Sequence, residues 1–428
     1  MTGRYPMSGM RVLDLTANVA GPLAGQVLVD LGAEVIKIEP PAGEAGRNIR
    51  STIPGQDDLR PYFLPHHRGK KSVVLDLHDD EDVARLVALA DTADVFMQGF
   101  RPGFLDRAGL GADALRRRNP RLVYASLCAF AGTGEQHRRP GIDALVQAES
   151  GLLTGMSGAA GEPLLPAPTF VDASSGHVLA QAILAALLAR ERHGDGDVVE
   201  VALYDVAVSL QAPHITRQLH TADEHAHLTE AGRASLAVAP SGPFRAADGW
   251  LMLFAYVPKH WNLLTATIDR PDLRDDPRFA DQFGRARHRV ELTAALEETL
   301  SARTVAEWVE ILTAAGVMAS PVRTWRSVIA SDAFSEADLA VTVRDGDRTE
   351  TVVRTPARYR AFSPAGTTPT PHLGEHTDEV LGAVPSGNGD RRGPRCRRSS
   401  TIPVPGRHRA EHLVRVLAEA RRRRGARR

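Results

Sequence analysis

Asp172 is the carboxylate with the most informative local sequence. It lies in residues 168–176, PTFVDASSG, directly before a long apolar helix predicted over residues 174–192. At a helix N-terminus, free backbone N–H groups and the positive end of the helix dipole favour an ionised, oriented carboxylate. Small residues after Asp172 leave space for a substrate, so the carboxylate could attack an activated acyl group and form an anhydride. Plain N-capping explains the same local pattern and stays open.

A cationic cluster occupies residues 67–71. His67, Arg68, Lys70 and Lys71 follow a predicted loop at the start of a strand, where they could hold a phosphate or diphosphate. The run resembles the end of a phosphate-binding loop, but Leu64 stands where the first glycine is required, and a strand follows instead of a helix. A Walker-type nucleotide site is therefore excluded. A solvated surface cluster is the alternative to phosphate binding.

Metal and thiol chemistry has little support in the sequence. His220, His225 and His227 lie in a polar linker without a supporting carboxylate and helix pattern, so no metal site is predicted. Cys128 and Cys396 are the only cysteines, which excludes a disulfide framework, and Cys128 is predicted to be a buried thiol in an apolar strand. The motifs GxSxG, HExxH and GxGxxG are absent, so hydrolase triads, zinc proteases and typical Rossmann oxidoreductases lose their main support.

The elements that must position these residues alternate between short apolar runs and amphipathic stretches. The apolar runs are residues 12–15, 35–38, 72–77, 95–97 and 122–127. This alternation predicts an α/β fold with a parallel sheet covered by helices. Residues 132–169 are rich in Gly and Pro and are expected to cross the carboxyl edge of that sheet, where open α/β folds bind ligands.

The character of the sequence divides the chain into four parts. Residues 1–219 are predicted to form the N-terminal part of a large α/β domain, and residues 220–325 a smaller α+β domain with linkers. Residues 326–385 are expected to return to the large domain. Residues 386–428 are rich in Pro, Gly, Ser and Arg and predict a disordered tail, because such a composition buries too little apolar surface.

Net charge is zero over the 428 residues, but it is unevenly distributed. Residues 387–428 contain fourteen arginines and three acidic residues, a balance of +11, so residues 1–386 carry −11. A basic run without interleaved aromatic residues predicts no specific nucleic-acid binding. No stretch approaches the roughly 18 consecutive apolar residues of a membrane span, and the start lacks the apolar core of a signal peptide. We therefore expect a cytoplasmic protein that does not contact membranes.

Ordered motifs between residues 12 and 381 make the chain resemble the class III CoA-transferase family, also called the CaiB/BaiF type. The matching segments are residues 12–15, 20–22, 31–40, 68–77, 99–103, 119–123 and 147–155, and the helix after Asp172. The resemblance implies a Rossmann-like large domain formed by both chain ends, a smaller α+β domain between them, and an interlocked homodimer.

The resemblance also implies a reaction and its participants. Asp172 matches the catalytic aspartate, which takes the acyl group of an acyl-CoA donor as an anhydride and then carries CoA as a thioester. A free carboxylic acid finally accepts the CoA. Coenzyme A and acyl-CoA are substrates in this reaction, so no permanently bound cofactor, ATP or metal is implied. Asp143 matches an acid near the active site and is expected to orient the reacting carboxylates.

Matches to the family's CoA-contact positions are spread over the first third of the chain. The implied contacts are Asn18, Val19, Lys37, Pro40, Arg68, Lys71, Leu75, His78, Gly99, Phe100, Arg101, Arg107 and Arg139. Among these, Lys37, Arg68, Lys71 and Arg107 are expected to supply positive charge for a ligand as anionic as CoA.

Two other functions stay open for this fold. The α-methylacyl-CoA racemases resemble the chain at residues 141–143 but carry a histidine where Ile142 stands, and isoleucine cannot transfer a proton, which favours the transferase. A catalytically silent CoA-binding protein is the third possibility, and the presence of Asp172 argues against it. Formate, oxalate, carnitine, succinate, aromatic and steroid-type acids are all open as substrates.

Overall fold

A computed structural model of the protein describes residues 5–56, 59–156, 162–221 and 238–383. Six parallel strands form the central sheet: β1 (Arg11–Leu15), β2 (Glu34–Glu39), β3 (Lys71–Val74), β4 (Val95–Gln98), β5 (Val123–Cys128) and β6 (Val198–Ala202). Their order is β3-β2-β1-β4-β5-β6, the order of a Rossmann-like sheet, so the predicted fold class is confirmed. The predicted tail, residues 386–428, lies outside the described residues, as do His225 and His227.

Helices cover both faces of the sheet and lie in four of its five strand connections, whereas the described connection from β2 to β3 contains only 3-10 turns. They are α1 (Ala20–Asp30), α2 (Asp80–Ala90), α3 (Phe104–Arg107), α4 (Ala112–Arg118), α5 (Asp143–Glu149), α6 (Phe170–His193), α7 (Leu203–Leu210) and α8 (Ala212–Leu219). Short 3-10 turns occur at Ala45–Asn48, Leu64–His66, Gln136–Arg138 and Leu152–Met156. Five parallel strand pairs need five crossover connections, which explains why helical segments alternate with strands along the sequence.

Neighbouring residues of one strand pack against different helix layers. In β1, Val12 belongs to a core that includes Leu28 of α1, whereas Leu13 belongs to a core that includes Leu86 of α2. All four side chains are fully buried. Because both faces of a parallel sheet are covered, its strands contain consecutive apolar residues, and this is the pattern that the sequence shows.

The strand order reverses between β1 and β4, at the centre of the sheet. These two strands pair up to their carboxyl ends, where Leu15 lies opposite Gln98. The chain leaves β1 toward β2 on one side and leaves β4 toward β5 on the other. Connections that diverge in this way leave a crevice at the carboxyl edge, which is where open α/β folds bind ligands.

A second core surrounds a small antiparallel sheet. Its strands are β7 (Ser241–Arg245), β8 (Trp250–Phe254) and β9 (Met318–Pro321), and its helices are α9 (Pro258–Thr267), α10 (Pro271–Asp275), α11 (Gln282–Arg287), α12 (Arg289–Leu300) and α13 (Val305–Ala314). Phe244, Trp261 and Leu296 are buried together in this core. β7 and β8 form the hairpin that the Asp248-Gly249 pair predicts. The predicted boundaries at residues 219, 325 and 385 stay predictions.

The last part of the described chain returns to the large sheet. It contains α14 (Trp325–Ile329), α15 (Asp332–Glu336), β10 (Ala340–Asp345), β11 (Arg348–Val353) and α16 (Thr377–Gly382). The Gly69 amide donates to the Thr368 carbonyl at 3.0 Å, and the His376 amide donates to the Ser72 carbonyl at 2.9 Å. Residues from both ends of the described chain therefore build the large domain, as predicted. The homodimer stays a prediction.

α6 is a core helix with an unusually apolar composition. Among the helices of the described residues, it alone is long and apolar enough to cross a membrane by length and composition. Its residues Leu179, Ile183 and Leu187 are buried in the same core as Val12. The apolar face of α6 is therefore used inside the protein. A search for uninterrupted apolar runs misses this helix because polar residues such as Gln181 interrupt it.

Gly176 allows α6 to approach α1 closely, and its substitution tests that contact. A Cβ atom at this position would lie 2.5 Å from the Ala20 carbonyl oxygen and 3.0 Å from Leu23 Cβ. We expect Gly176→Ala to lower the free energy of unfolding by about 1–3 kcal/mol in urea titrations, since overpacking strains a filled core. The matched control is Gly382→Ala in α16, where no atom of the described residues beyond its chain neighbours and its own helix lies within 4 Å of the added Cβ. Equal stability of the two variants would contradict the close packing.

Candidate active site

A cavity of about 430 Å³ lies at the carboxyl edge of the sheet. Its lining residues are Thr16, Ala17, Asn18, Val19, Ala20, Ile49, Tyr62, Gly99, Leu127, Cys128, Ala129, Gly141, Ile142, Asp143, Ala144, Leu165, Pro166, Ala167, Pro168, Thr169, Asp172 and Leu203. The loops after β1, β4 and β5 therefore meet the beginnings of α5 and α6. Within the part of the chain that the structure describes, Asp143 and Asp172 are the charged residues of this lining.

Asp172 belongs to the first turn of α6 and does not cap the helix. The helix begins at Phe170, earlier than predicted, and Thr169 is the N-cap residue. The Asp172 amide donates to Asp143 Oδ2 at 2.8 Å, so Asp143 uses its side chain to satisfy a backbone group of the first turn. The N-capping interpretation of Asp172 is therefore wrong, and its carboxylate is left facing the cavity.

Asp143 is fixed by its own helix. It occupies the first turn of α5, it is buried, and the side-chain amide of Gln147 donates to its Oδ1 atom. Because Oδ1 accepts a hydrogen bond from Gln147 and Oδ2 accepts one from the Asp172 amide, the Asp143 carboxylate has little freedom to rotate. The two predicted catalytic residues are thus brought together, and Asp143 orients the turn that carries Asp172.

The environment of Asp172 raises its pKa to about 7. Burial is the larger cause, because it disfavours the charged carboxylate, and the nearby Asp143 carboxylate adds to it. About half of the Asp172 side chains are therefore protonated at pH 7. The sequence analysis expected an ionised carboxylate because it took only the helix N-terminus into account. Burial and the Asp143 carboxylate, which both raise the pKa, could not be predicted from the local sequence.

The raised pKa predicts that the Asp172 carboxylate destabilises the folded protein. Its folded pKa, about 7, exceeds the unfolded value near 3.9, so the folded state loses stability as the pH rises from about 4 to 7. We expect Asp172→Asn to raise the free energy of unfolding at pH 8 by on the order of 2 kcal/mol, with a much smaller effect at pH 4.5. Urea denaturation at both pH values measures this difference. A variant less stable than the wild type at pH 8 would contradict it.

A buried ion network holds the loop after β1. Lys70 Nζ donates to Asp14 Oδ2 at 2.8 Å, and Lys37 Nζ lies 3.8 Å from Asp14 Oδ1 and donates to the Thr16 carbonyl. Both lysines and Asp14 are buried. The loop continues through Asn18, whose backbone is left-handed with φ of 67°. The network therefore fixes the loop residues that line the cavity.

Two of the cations expected to supply positive charge for CoA form internal ion pairs. Lys37 is 0% exposed and Arg68 is 2% exposed, and Arg68 Nη2 contacts Asp30 Oδ2 at 2.7 Å. The structure brings neither of them to the cavity. The solvated-surface alternative is wrong for Arg68 and Lys70, which are both buried. Lys71 is partly exposed but pairs with two carboxylates, Glu34 at 2.9 Å and Glu379 at 2.7 Å.

A second cavity of about 180 Å³ lies against residues of β4, β5 and β6. Phe100 and Arg101 line it, and Phe100 stacks on Phe104 with ring centroids 4.9 Å apart. His78 contacts the same Phe104 ring edge-on at 6.3 Å. Arg101 and Arg107 are exposed and form no ion pair with the described residues, and Arg101 lines this cavity, where it can meet an anionic ligand.

The other implied CoA contacts are distributed as follows. Asn18, Val19 and Gly99 line the larger cavity. Pro40 is exposed, whereas Leu75 is 1% exposed and belongs to the core of the large domain. Arg139 is exposed and forms a bidentate pair with Glu149, with both N–O distances 2.6 Å. Their roles in CoA binding stay predictions.

The sequence analysis missed one group of potential metal ligands. The ligand atoms of Cys128, His137 and Glu200 all lie within 4.8 Å of one another. These residues are separated by up to 72 positions, and their spacing matches no known metal-binding sequence motif. Only the pairing of β5 with β6 brings them together, so no local sequence signal could have found the group.

Comparison with known proteins supports the family resemblance. The family model for CoA-transferase family III matches residues 7–377. Rv3272 of Mycobacterium tuberculosis, named "Probable fatty acyl-CoA transferase", is 52% identical over 383 residues, which cover 88% of this chain and 97% of that protein. Succinyl-CoA:glutarate CoA-transferase of Mus musculus is 30% identical over 381 residues, covering 89% of this chain and 86% of that protein.

Solved structures agree with these sequence matches. A crystal structure of Rv3272 has a TM-score of 0.80 at 50% identity and covers 89% of this chain and 100% of that chain. A CAIB/BAIF family protein from Brucella suis has a TM-score of 0.78 at 28% identity, covering 89% of this chain and 99% of that chain. From its sequence and its fold, the chain belongs to CoA-transferase family III, an enzyme family whose substrates are CoA thioesters.

Proposed function

We propose that this enzyme moves CoA from an acyl-CoA donor to a free carboxylic acid, with Asp172 as the covalent nucleophile. The observation that carries the proposal is the position of Asp172, which lines the cavity beside Asp143, where no described residue of the lining is a cation. A carboxylate with a raised pKa is more basic than an ordinary one, and about half of it is ionised at neutral pH.

The proposed reaction has two symmetrical halves. An Asp172 oxygen attacks the thioester carbonyl carbon of the donor, the C–S bond breaks, and CoA leaves as a thiolate. The thiolate attacks Cγ of Asp172, which releases the donor acid as a carboxylate and leaves an aspartyl-CoA thioester. The acceptor carboxylate then attacks the same Cγ, forming a second anhydride and freeing the thiolate. Attack of the thiolate on the acceptor acyl carbon releases acceptor acyl-CoA and restores Asp172.

Chemical trapping tests the covalent step directly. The protein is incubated with a panel of acyl-CoA donors and hydroxylamine, which converts an anhydride or thioester of Asp172 to a hydroxamate. Peptide mass spectrometry should find that modification on Asp172, and Asp172→Asn is the control that cannot form it. An Asp172 peptide that stays unmodified with every donor that supports turnover would falsify the covalent mechanism.

The racemase alternative predicts a different product. Ile142 lines the cavity, and no histidine belongs to the described lining, so the histidine that racemases use is missing. We expect no exchange of the α-proton when a 2-methylacyl-CoA is incubated with the enzyme in deuterated water. Exchange at a rate comparable to transfer would favour the racemase. Transfer activity itself excludes a silent CoA-binding protein.

We further propose that the preferred acids are aliphatic and carry a single carboxylate. The cavity lining combines apolar side chains such as Ile49, Ile142 and Leu165 with two acidic residues. It contains no Lys, Arg or His among the described residues, and residues 157–161, SGAAG, have no charged side chain. A second carboxylate on the substrate would lose hydration without gaining an ion pair. The name "Probable fatty acyl-CoA transferase" given to Rv3272 agrees with this class.

Hexanoate and adipate form a matched pair for testing this class, because both have six carbons and differ in one carboxylate. We expect kcat/KM to be at least about tenfold higher for hexanoate, since removing an unpaired carboxylate from water is costly. Leu165→Arg should reduce this ratio by adding a cation to the lining, and Leu165→Met is the control. A wild-type preference for adipate would overturn the substrate class but not the covalent mechanism.

A further inference from the structure

Cys128, His137 and Glu200 form a group of ligand-type side chains outside the proposed covalent chemistry. Cys128 ends β5 and Glu200 lies in β6, and the strand register pairs Ser126 with Glu200. Since residues two apart in a strand share a face, Cys128 and Glu200 lie on the same face of the sheet. His137 comes from the 3-10 turn Gln136–Arg138. All three residues line the 180 Å³ cavity.

The hydrogen bonds around this group suit metal binding. His137 Nδ1 lies 2.9 Å from the Phe130 carbonyl oxygen, which can only accept, so Nδ1 carries the proton and the lone pair stays on Nε2. A backbone carbonyl that fixes the tautomer in this way is the usual partner of a metal-ligating histidine. Glu200 Oε1 accepts from the Gly132 amide at 3.4 Å, which anchors the carboxylate and leaves its second oxygen available.

We propose that Cys128, His137 and Glu200 bind a soft divalent cation of the Zn²⁺ type. Thiolate, imidazole and carboxylate together are ligands that Zn²⁺ accepts in tetrahedral sites, with a water or another small ligand in the fourth position. Ligand atoms around such an ion are about 3–4 Å apart, so the group, with separations up to 4.8 Å, must contract by about 1 Å. The proposal requires that rotations of the three side chains supply this contraction, and Glu200 and the residues that flank His137 are exposed.

The bound ion would be neutralised by its ligands and would link a loop to the sheet. Binding releases the Cys128 proton, and the thiolate and carboxylate then neutralise the two positive charges of the ion. Cys128 also lines the larger cavity, so the proposed site in the smaller cavity shares one side chain with the larger one. Because His137 lies in a loop and the other two ligands lie in β5 and β6, the ion restrains the segment from Ala129 to Arg139 against the sheet.

Cobalt binding to the full-length protein under reducing conditions tests the site. Co²⁺ bound to a thiolate gives a near-ultraviolet charge-transfer band, and we expect one equivalent per chain, displaced by Zn²⁺. Cys128→Ser should remove the band, and His137→Gln should weaken Co²⁺ binding about tenfold or more. His193→Gln, at the exposed end of α6, is the matched control. A wild-type protein without the band, or a band that survives Cys128→Ser, would overturn the proposal.

A second measurement does not depend on the folding of any variant. The wild-type protein is treated with an alkylating reagent, with and without Zn²⁺, and the modification of each cysteine is followed by peptide mass spectrometry. Zn²⁺ should slow alkylation of Cys128 at least about tenfold, because the metal-bound thiolate is shielded, while Cys396 provides an internal reference. Equal rates for Cys128 with and without Zn²⁺ would contradict the site, whatever the outcome for CoA transfer.

Discussion

Asp172→Asn should reduce CoA transfer about 10⁴-fold or more, because an amide cannot attack the thioester to form an anhydride. Asparagine keeps the shape of the side chain, and the backbone N–H of residue 172 can still donate to Asp143 Oδ2, as it does at 2.8 Å in the wild type. The loss should therefore fall on kcat, with CoA affinity changed by only a few-fold. Steady-state transfer assays and calorimetric titration with CoA measure the two quantities separately.

Asp172→Glu separates the position of the carboxylate from its presence. Glutamate retains a nucleophile but moves it by one methylene group, and a displacement of about 1 Å can cost about 100-fold in rate. We expect this variant to be slow yet still to give a hydroxamate with hydroxylamine, in contrast to Asp172→Asn. Transfer by Asp172→Asn within tenfold of the wild-type rate would contradict a nucleophilic Asp172.

The strands of the large sheet were predictable because their signal is local. The apolar runs at residues 12–15 and 35–38 are now parts of β1 and β2, whose consecutive side chains are buried on both faces. Boundaries were less predictable where tertiary contacts decide them. The sequence predicted that α6 begins at residue 174, whereas the helix begins at Phe170. In its first turn the Asp172 amide donates a hydrogen bond to Asp143, a residue of another helix.

The partners of the charged residues near the site could not be predicted from one sequence. Arg68 and Lys70 lie in a charged stretch of the sequence that is typical of an exposed surface. In the structure, however, Arg68 pairs with Asp30, 38 residues away, and Lys70 pairs with Asp14, 56 residues away. Whether a cation binds a ligand or an internal carboxylate depends on such long-range pairs. The same limit explains why the grouping of Cys128 with Glu200 was missed, since it follows from the register of β5 and β6.

The raised pKa of Asp172 also predicts a steep dependence of acylation on pH. Only the ionised carboxylate attacks the thioester, and with a pKa of about 7 the ionised fraction is about 1% at pH 5. Single-turnover acylation from a donor acyl-CoA should therefore rise about 100-fold between pH 5 and pH 8 and then level off. The midpoint observed in kcat/KM reports the free enzyme, so it should lie near 7.

Asp143→Asn identifies the cause of this midpoint. Asparagine can still accept the Asp172 amide through its side-chain oxygen, but it removes the negative charge that adds to the effect of burial. The midpoint should therefore move to lower pH while staying above the ordinary aspartate value, because burial persists. A purely structural role for Asp143 would lower the rate equally at all pH values and leave the midpoint in place. A midpoint below pH 5 in the wild type would show that Asp172 is better hydrated than its burial indicates.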